Sequence, residues 1–172
     1  MGFKVGEKIV YPNHGVSVIE KIGEGFATEP VAPRSFYHLR LLSNNSRVMV
    51  PVGNTASVGL RKVLTKKEIA RVLKVLRSPE VATYDDWKGR YQANSEKMRT
   101  GDILAVAEVL KSLTILNEAK PLSYRERKML DRARFLLVSE LSEAAAKKTE
   151  EMEETLDQAL AECLKEIKNL AH

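Results

Sequence analysis

The fold of this 172-residue chain is decided at Val63-Leu64-Thr65-Lys66-Lys67-Glu68-Ile69, where the spacing of apolar residues changes. Before this stretch, apolar and polar residues alternate in short runs, which indicates β-strands. After it, apolar residues recur at helical spacing, which indicates amphipathic helices. Thr65 and Glu68 form a capping box at the change, and a capping box marks the start of a helix. The sequence therefore predicts an α+β chain of two domains, residues 1–64 and residues 65–172.

The residues before the change predict a small β-barrel of the SH3 or Tudor kind, because the strands are short and turn-forming residues separate them. Two of the turns are Pro12-Asn13-His14-Gly15 and Asn44-Asn45, and a loop rich in Gly, Pro and Ala covers residues 23–34. The predicted strands are residues 4–11, 16–22, 35–42, 46–50 and 57–63, the last of which should close the barrel.

The residues after the change predict an all-α helical bundle. Ser78-Pro79 ends the first helix, Gly101 ends the second and Lys120-Pro121 ends the third. Ser123 and Glu126 form another capping box at the start of the fourth. The predicted helices cover about residues 66–77, 87–99, 103–118, 124–141 and 149–170.

The one tryptophan of the chain, Trp87, stands at the start of the second predicted helix. Asp85 or Asp86 is the predicted cap. Arg90 and Tyr91 lie three and four positions further on and therefore share a face with Trp87. An indole beside a guanidinium and a phenol suits a widened minor groove, where an apolar side chain enters a base step while cations hold the phosphates. A tryptophan buried between helices is the alternative.

Basic residues form two rows on the fourth predicted helix. Arg125, Lys128 and Arg132 are spaced so that they share one exposed face, and we call these three residues the cation row. Arg127 and Arg134 form a second row on the polar side. Such rows suit a track of phosphates, and a solvated surface is the alternative. Because no pattern that reads base edges is evident, DNA binding should depend on the DNA backbone and its deformability.

The charge is distributed unevenly along the chain. Residues 1–64 hold 8 Lys/Arg and 4 Asp/Glu, residues 65–137 hold 16 and 10, and residues 138–172 hold 4 and 9. The first 137 residues therefore carry a net charge of +10 and should attract a polyanion, whereas the last predicted helix is acidic. A solvated basic surface is again the alternative.

The reactive residues argue against an enzyme. His14, His38 and His172 are far apart in the sequence, and no paired Cys or HExxH spacing indicates a metal site. No Walker, GxGxxG or nucleophile-elbow motif occurs. Cys163, the single cysteine, lies at an apolar helical position that suits packing in a reducing compartment. We therefore expect no catalysis, no cofactor, no metal and no small-molecule substrate.

The sequence also argues against a membrane location. No apolar run approaches the roughly 20 residues of a membrane span, and the N-terminus lacks the core of a signal peptide. We therefore expect a cytoplasmic protein without a membrane partner.

The fourth predicted strand has the composition of a sheet edge. Arg47-Val48-Met49-Val50-Pro51 is short and apolar, and proline within a strand favours an edge position because it donates no hydrogen bond. An exposed edge can add a strand from a partner, with the Met49 or the Val50 side chain in a pocket of that partner. A protected edge without a partner is the alternative.

Over residues 1–141 the chain resembles the CarD/CdnL family of bacterial transcription regulators. The N-terminal part also resembles the polymerase-binding module of transcription-repair coupling factors. The matching segments occur in the same order and are Phe3-Lys4-Val5-Gly6-Glu7, Tyr11-Pro12-Asn13-His14-Gly15, Val50-Pro51, Ser57-Val58-Gly59-Leu60-Arg61, Trp87, Arg90-Tyr91, Glu96-Lys97, Leu122-Ser123 and Glu126-Arg127-Lys128-Met129-Leu130.

The resemblance implies a non-enzymatic factor whose barrel docks on the β subunit of RNA polymerase by strand pairing. It implies that the helical domain contacts promoter DNA at the upstream edge of the opening bubble, where Trp87 enters the minor groove and stabilises the open complex. Carried over by position, Arg90 and Arg127 contact DNA, with Lys88 and Lys128 as neighbours. The predicted DNA-binding residues are Trp87, Lys88, Arg90, Arg125, Arg127, Lys128 and Arg132, and the predicted polymerase-binding residues are Arg47, Val48, Met49, Val50 and Pro51.

Some positions depart from the family pattern. Gly25 and Met49 stand where some relatives have Arg in the barrel, and Gly89 and Gln92 replace cations beside the tryptophan. The acidic last helix is longer than the usual tail of the family, and no role is carried over to it.

The sequence as a whole predicts a cytoplasmic, nucleoid-associated regulator with two partners, the RNA polymerase β subunit and promoter DNA. A nucleic-acid-binding protein without a polymerase contact remains an alternative. A protein-only adaptor with a buried tryptophan is another.

Overall fold

The computed structural model describes residues 2–24, 35–84 and 86–171, which fall into two units, Met1–Val63 and Leu64–His172. Gly25 and most of the predicted 23–34 loop lie outside the described residues, as do Asp85 and His172. Each unit has a hydrophobic core of its own.

The N-terminal unit is an antiparallel sheet whose strands were largely predicted by alternation. The strands are β1 (Lys8–Tyr11), β2 (Gly15–Glu24), β3 (Ser35–Leu41), β4 (Arg47–Pro51) and β5 (Arg61–Lys62). Their order in the sheet is β4-β3-β2-β1-β5. The turn between β1 and β2 uses left-handed backbone at Asn13, with φ of 64°, and at Gly15, with φ of 93°.

The sheet surrounds a single core. Ile9 and Ile19 are fully buried there, and they share the cluster with Val50 from β4 and Leu60 from just before β5. Val50 lies in one end strand and Leu60 directly precedes the other, so both ends of the sheet reach the same core and the sheet curls around it. A register shift after Ile19 in β2 increases the local bend. The predicted small barrel of the Tudor kind is confirmed.

The predicted strand over residues 57–63 is wrong for most of its length. Val52–Asn54 form a 3-10 turn and Thr55–Val58 form a short helix, α1. Gly59 ends α1 with φ of 83°, a left-handed conformation that glycine adopts without strain. Only Arg61–Lys62 remain as β5, which pairs with β1. The sequence pattern misses α1 because one helical turn is too short to show a helical period.

The C-terminal unit is the predicted all-α bundle. Thr65 and Glu68 form both halves of their capping box, Asp102 accepts the Leu104 N–H at 3.1 Å, and Gly101 ends the second long helix with φ of 73°. In the described part of this unit the helices are α2 (Lys66–Arg77), α3 (Trp87–Thr100), α4 (Ile103–Ala119), α5 (Tyr124–Ala145) and α6 (Thr149–Leu170).

The core of the helical unit lies around α4, which packs against α2, α3 and α5. Val109 and Leu113 of α4 are almost completely buried. The acidic helix α6 packs against α2 and α5 through Met152, Leu156 and Leu160. The helix to which the family resemblance assigned no role therefore forms part of the wall of this core.

Two buried side chains contact backbone carbonyl oxygens at the C-terminal end of α2. Nζ of Lys111 donates to the carbonyl oxygens of Val75 at 2.9 Å and Ser78 at 3.2 Å, and Sγ of Cys163 lies 3.2 Å from the same Ser78 oxygen. These contacts satisfy carbonyls that a helix end leaves without partners. Burial raises the pKa of the Cys163 thiol, while the charge of Lys111 lowers it to a smaller extent. Among the described helices, none combines the length and apolar character of a membrane span.

Candidate nucleic-acid interface

The first turn of α3 presents Trp87 because Asp86 caps the helix. Oδ1 of Asp86 accepts the N–H of Gly89 at 2.7 Å. A Cβ at residue 89 would lie 3.0 Å from that same oxygen, so a larger side chain would crowd the cap. A glycine at position 89 therefore leaves room for the capping oxygen.

The indole of Trp87 is anchored but accessible. Its exposed fraction is 39%. Nε1 donates to Oε1 of Glu126 on α5 at 3.1 Å, and the ring stacks on Tyr91 with centroids 5.5 Å apart and planes 15° from parallel. The side chain is therefore neither sealed between helices nor free to rotate.

Arg90 binds the same carboxylate. Its Nε donates to Oε2 of Glu126 at 2.8 Å, and one terminal nitrogen donates to Oε1 at 3.2 Å. The two side chains are 17% and 3% exposed, so this is a largely buried bidentate ion pair. Because the guanidinium is already engaged, its first role in the structure is to neutralise Glu126, and the predicted contact between Arg90 and DNA stays a prediction.

The carboxylate of Glu126 joins three other side chains into one group. The hydroxyl of Ser123 also donates to Oε1, at 3.3 Å, and we call Trp87, Arg90, Ser123 and Glu126 the Trp87 cluster. Burial by itself raises the pKa of Glu126, but the hydrogen bonds and charge of Arg90 outweigh it, with further bonds from Ser123 and Trp87. The net effect holds the pKa of Glu126 below its ordinary value, so the residue is an anion at neutral pH.

Sequence reasoning identified Glu126 as half of a capping box and as part of a segment that matches the family, and it gave the carboxylate no role at the tryptophan. Its backbone N–H does bond to Oγ of Ser123 at 3.3 Å, which caps α5. Its carboxylate, however, binds Trp87 and Arg90, which lie 39 and 36 positions away in the sequence. A capping pattern carries no signal that would distinguish this use of the carboxylate from the local one.

Each member of the cation row lies over an aromatic ring, an arrangement that cation–π attraction stabilises. Measured from cation to ring centroid, the pairs are Arg125 with Tyr91 (5.9 Å), Lys128 with Tyr124 (4.7 Å) and Arg132 with Phe135 (5.7 Å). Since Tyr91 also stacks on Trp87, Tyr91 connects Arg125 of the cation row to the indole.

Tyr124 was not singled out from the sequence. Its exposed fraction is 72%, although it lies on the first turn of α5, next to Ser123 of the Trp87 cluster. A large aromatic side chain on an otherwise charged helix face was the signal that could have identified it.

The two remaining predicted cations, Lys88 and Arg127, are exposed. In the described part of the chain, neither forms an ion pair. Arg134, which shares the second row with Arg127, pairs instead with Asp157 of α6, with 2.8 Å between nitrogen and oxygen. Of the second row, Arg127 is therefore the residue available to a phosphate.

The predicted edge strand is an edge strand in the structure. β4 ends the described sheet, with β3 as its neighbour. The N–H of Leu41 bonds to the carbonyl of Ser46, and hydrogen-bonded positions alternate along an antiparallel pair. By this alternation the backbone groups of Val48 face β3, whereas those of Arg47 and Met49 point to the open edge.

The side chains of β4 alternate between the core and the surface. Val50 is 2% exposed and Val48 packs against the same core. Met49, like Arg47, lies on the opposite face. Because the barrel core holds the side chain of Val50, Met49 is the one of the two residues whose side chain is placed for the predicted contact with a pocket of a partner. The contact itself stays a prediction.

Arg47 is mostly solvated. Its side chain is 77% exposed and its Nε lies 3.6 Å from Oε1 of Glu20, which also pairs with Arg40 at 3.3 Å. Pro51 closes β4 opposite Phe36 of β3.

Within residues 2–24, 35–84 and 86–171, no group of three or more His, Cys, Asp or Glu side chains is placed to hold a metal ion.

Comparison with known proteins matches each unit to a known domain family. The model of the CarD C-terminal domain matches residues 71–157, and the model of the CarD-like/TRCF RID domain matches residues 3–64. The chain is 34% identical over 139 residues to YdeB of Bacillus subtilis (strain 168), which is described as a candidate transcription factor. That alignment covers 81% of this chain and 90% of YdeB. The matched regions include the Trp87 cluster, the cation row and β4.

Proposed function

Because this chain belongs to the CarD family of transcription factors, we propose that it binds RNA polymerase and promoter DNA together and stabilises the open promoter complex. We propose that the helical unit contacts the DNA at the upstream edge of the bubble. The proposed polymerase partner is the β subunit, and the proposed site of action is the nucleoid in the cytoplasm.

The observation that carries the proposal is the anchored, accessible indole of Trp87. Its exposed fraction of 39% leaves apolar surface for a base step, while Glu126 and Tyr91 limit the rotation of the ring. A wedge that enters the minor groove separates two base pairs at a cost of about a few kcal/mol. A rigid wedge loses less rotational freedom on insertion than a mobile one, so more of its apolar contact remains as binding free energy.

The cations around the indole supply sequence-independent affinity. Arg125 lies against Tyr91, and Arg127 and Lys88 are exposed. Lys128 and Arg132 extend the charged surface along α5. Contacts of such cations with phosphates release counterions and position the protein without reading bases. DNA that is opened or distorted accepts the wedge more readily than closed duplex does, so binding shifts the equilibrium towards opening.

The proposed polymerase contact is strand addition at β4. The match to an RID domain supports a polymerase partner for this unit. The outward backbone groups of Arg47 and Met49 would pair with a strand of the β subunit, with the Met49 side chain beside it. Pro51 limits the length of the paired segment because it lacks an N–H.

Two contacts that are each weak can together hold the chain on a promoter-bound polymerase. Once one unit is bound, the linkage along the chain raises the effective concentration of the other unit at its own site. The polymerase contact therefore delivers a sequence-independent DNA contact to promoters.

The experiment is the lifetime of open complexes, measured with RNA polymerase holoenzyme after a competitor is added. We expect the full chain to lengthen this lifetime, and we expect Trp87→Ala and Met49→Asp each to abolish the effect. Leu170→Ala is the matched control, because Leu170 is an exposed apolar residue at the end of α6, beyond the matched domain. It should behave like the natural chain.

Two binding measurements, co-purification with polymerase and salt-dependent binding to DNA, separate the alternatives. A chain that binds DNA but does not associate with polymerase would be a general nucleic-acid-binding protein. A chain that binds polymerase without any salt-dependent DNA binding would be a protein-only adaptor. A natural chain that leaves the open-complex lifetime unchanged would refute the proposal.

A further inference from the structure

We infer that Glu126 is the positioning residue that makes the Trp87 wedge indifferent to base sequence, by holding the indole N–H within the protein. This inference rests on the proposed insertion of Trp87 into the minor groove. The structural basis is the Trp87 cluster, in which one buried carboxylate binds both the wedge and its neighbouring arginine.

An indole has one polar group, the Nε1–H donor. In this chain that donor is used by Glu126 at 3.1 Å. Trp87 therefore presents only the apolar surface of its ring to DNA, and this surface can pack against any base step. Glu126 is only 2% exposed, so the bond is shielded from water that would compete for it.

A free indole donor would behave differently in the minor groove. A·T pairs present only acceptors there, whereas a G·C pair adds the donor N2 amino group of guanine. An unengaged Nε1–H would therefore favour A·T at the step that the wedge enters. Satisfying this donor inside the protein removes the preference.

Arg90 makes this use of a carboxylate compatible with DNA. An unpaired anion beside phosphates would repel them. The bidentate pair between Arg90 and Glu126, at 2.8 and 3.2 Å, cancels that charge while leaving Oε1 to accept from Trp87. Arg90 thus supports the wedge through its pair with Glu126.

The test compares two forked DNA duplexes that differ only in the base pair at the junction, A·T or G·C. The dissociation constants of the full chain for the two duplexes are measured by fluorescence anisotropy of labelled DNA at one salt concentration. The readout is their ratio, because a change in charge affects both duplexes equally.

Glu126→Met removes the acceptor at similar length, and Glu126→Gln retains an acceptor. Glu140→Gln is the matched control, since Glu140 is a second buried carboxylate on α5 that accepts the Leu64 N–H at 2.9 Å. We expect Glu126→Met to shift the ratio towards A·T by about five-fold, the worth of one hydrogen bond. The natural chain, Glu126→Gln and Glu140→Gln should share one ratio.

A ratio that is unchanged in folded Glu126→Met would overturn the inference and leave the proposed function standing. Failure of Trp87→Ala to weaken binding to either duplex would instead overturn the proposed function, and the inference with it.

A measurement on the natural chain covers the case in which Glu126→Met does not fold. The single tryptophan yields one indole N–H signal in the nuclear magnetic resonance spectrum. We expect its proton to be protected from solvent exchange and to stay so when the junction DNA binds. A bond to Glu126 that breaks on binding would overturn the inference. Its signs would be a large shift of the indole signal when DNA binds and a bound-state signal that is the same in the natural chain and in Glu126→Gln.

Discussion

Nε1 of Trp87 lies 3.1 Å from Oε1 of Glu126, which joins the start of α3 to the first turn of α5. This bond holds the exposed tryptophan of the helical unit in one orientation. Arg90 completes the arrangement by neutralising the carboxylate.

Acrylamide should quench the fluorescence of Trp87 in the free protein, because the indole is 39% exposed. Addition of forked DNA should reduce the quenching constant, since a base step would then cover the ring. Fully paired duplex at the same concentration is the control and should protect less. Equal quenching with and without forked DNA would count against insertion.

Arg127→Ala should lower the affinity for DNA and reduce the slope of log K against log salt by about one unit, the value for one lost phosphate contact. Arg134→Ala is the matched control on the same helix, because Arg134 pairs with Asp157. The measurement is anisotropy of labelled DNA over a salt series. If the two variants had the same slope, Arg127 would make no phosphate contact of its own.

Arg90→Ala should destabilise the helical unit by about 3 kcal/mol, because it leaves a buried carboxylate without its partner. The double variant Arg90→Ala with Glu126→Gln should recover much of this loss, since the remaining side chain is neutral. Urea unfolding followed by circular dichroism measures both. If the double variant were as unstable as the sum of the two single ones, the pair would not be coupled.

The stability of the helical unit should depend on pH through Glu126. Its pKa is lowered in the folded state, so its stabilising effect is present above the pKa of the unfolded state and is lost as pH falls through the lower, folded pKa. Glu126→Gln does not titrate at this position and should lose less stability over the same range. Unfolding free energies of both chains between neutral pH and pH of about 3 provide the comparison. If the unfolding free energies of the two chains fell in parallel with pH, Glu126 would not be the source of the pH dependence.

Met49→Asp should abolish binding to the polymerase β subunit without unfolding the barrel, because Met49 lies on the outer face of an edge strand. Met49→Pro should act similarly by removing the outward N–H, while proline remains acceptable at an edge. Met49→Leu is the matched control and should bind normally. Co-purification of the full chain with polymerase is the measurement. Unchanged binding by folded Met49→Asp and Met49→Pro would place the docking surface elsewhere on the barrel.

The helices were the most predictable part of the fold. Thr65, Asp102 and Gly101 were identified as helix ends from residues a few positions away, and the structure places helix ends there. Capping and periodicity act over one or two turns, so a single sequence contains them. The short helix α1 was missed because it lacks that length.

The candidate site was only half contained in the sequence. The spacing of Arg125, Lys128 and Arg132 along one helix and the placement of Trp87 in a first turn are local properties, and the sequence by itself determined them. Tertiary structure decided which carboxylate binds Trp87. It also decided that Arg90 is paired while Arg127 is exposed. In the barrel, it decided that Val50 faces the core while Met49 faces out. These outcomes depend on which helices and strands become neighbours, and the bond from Trp87 to Glu126 spans 39 positions of sequence. Local rules of capping and spacing carry no information over that distance, because only packing of the two helices brings the donor to its acceptor.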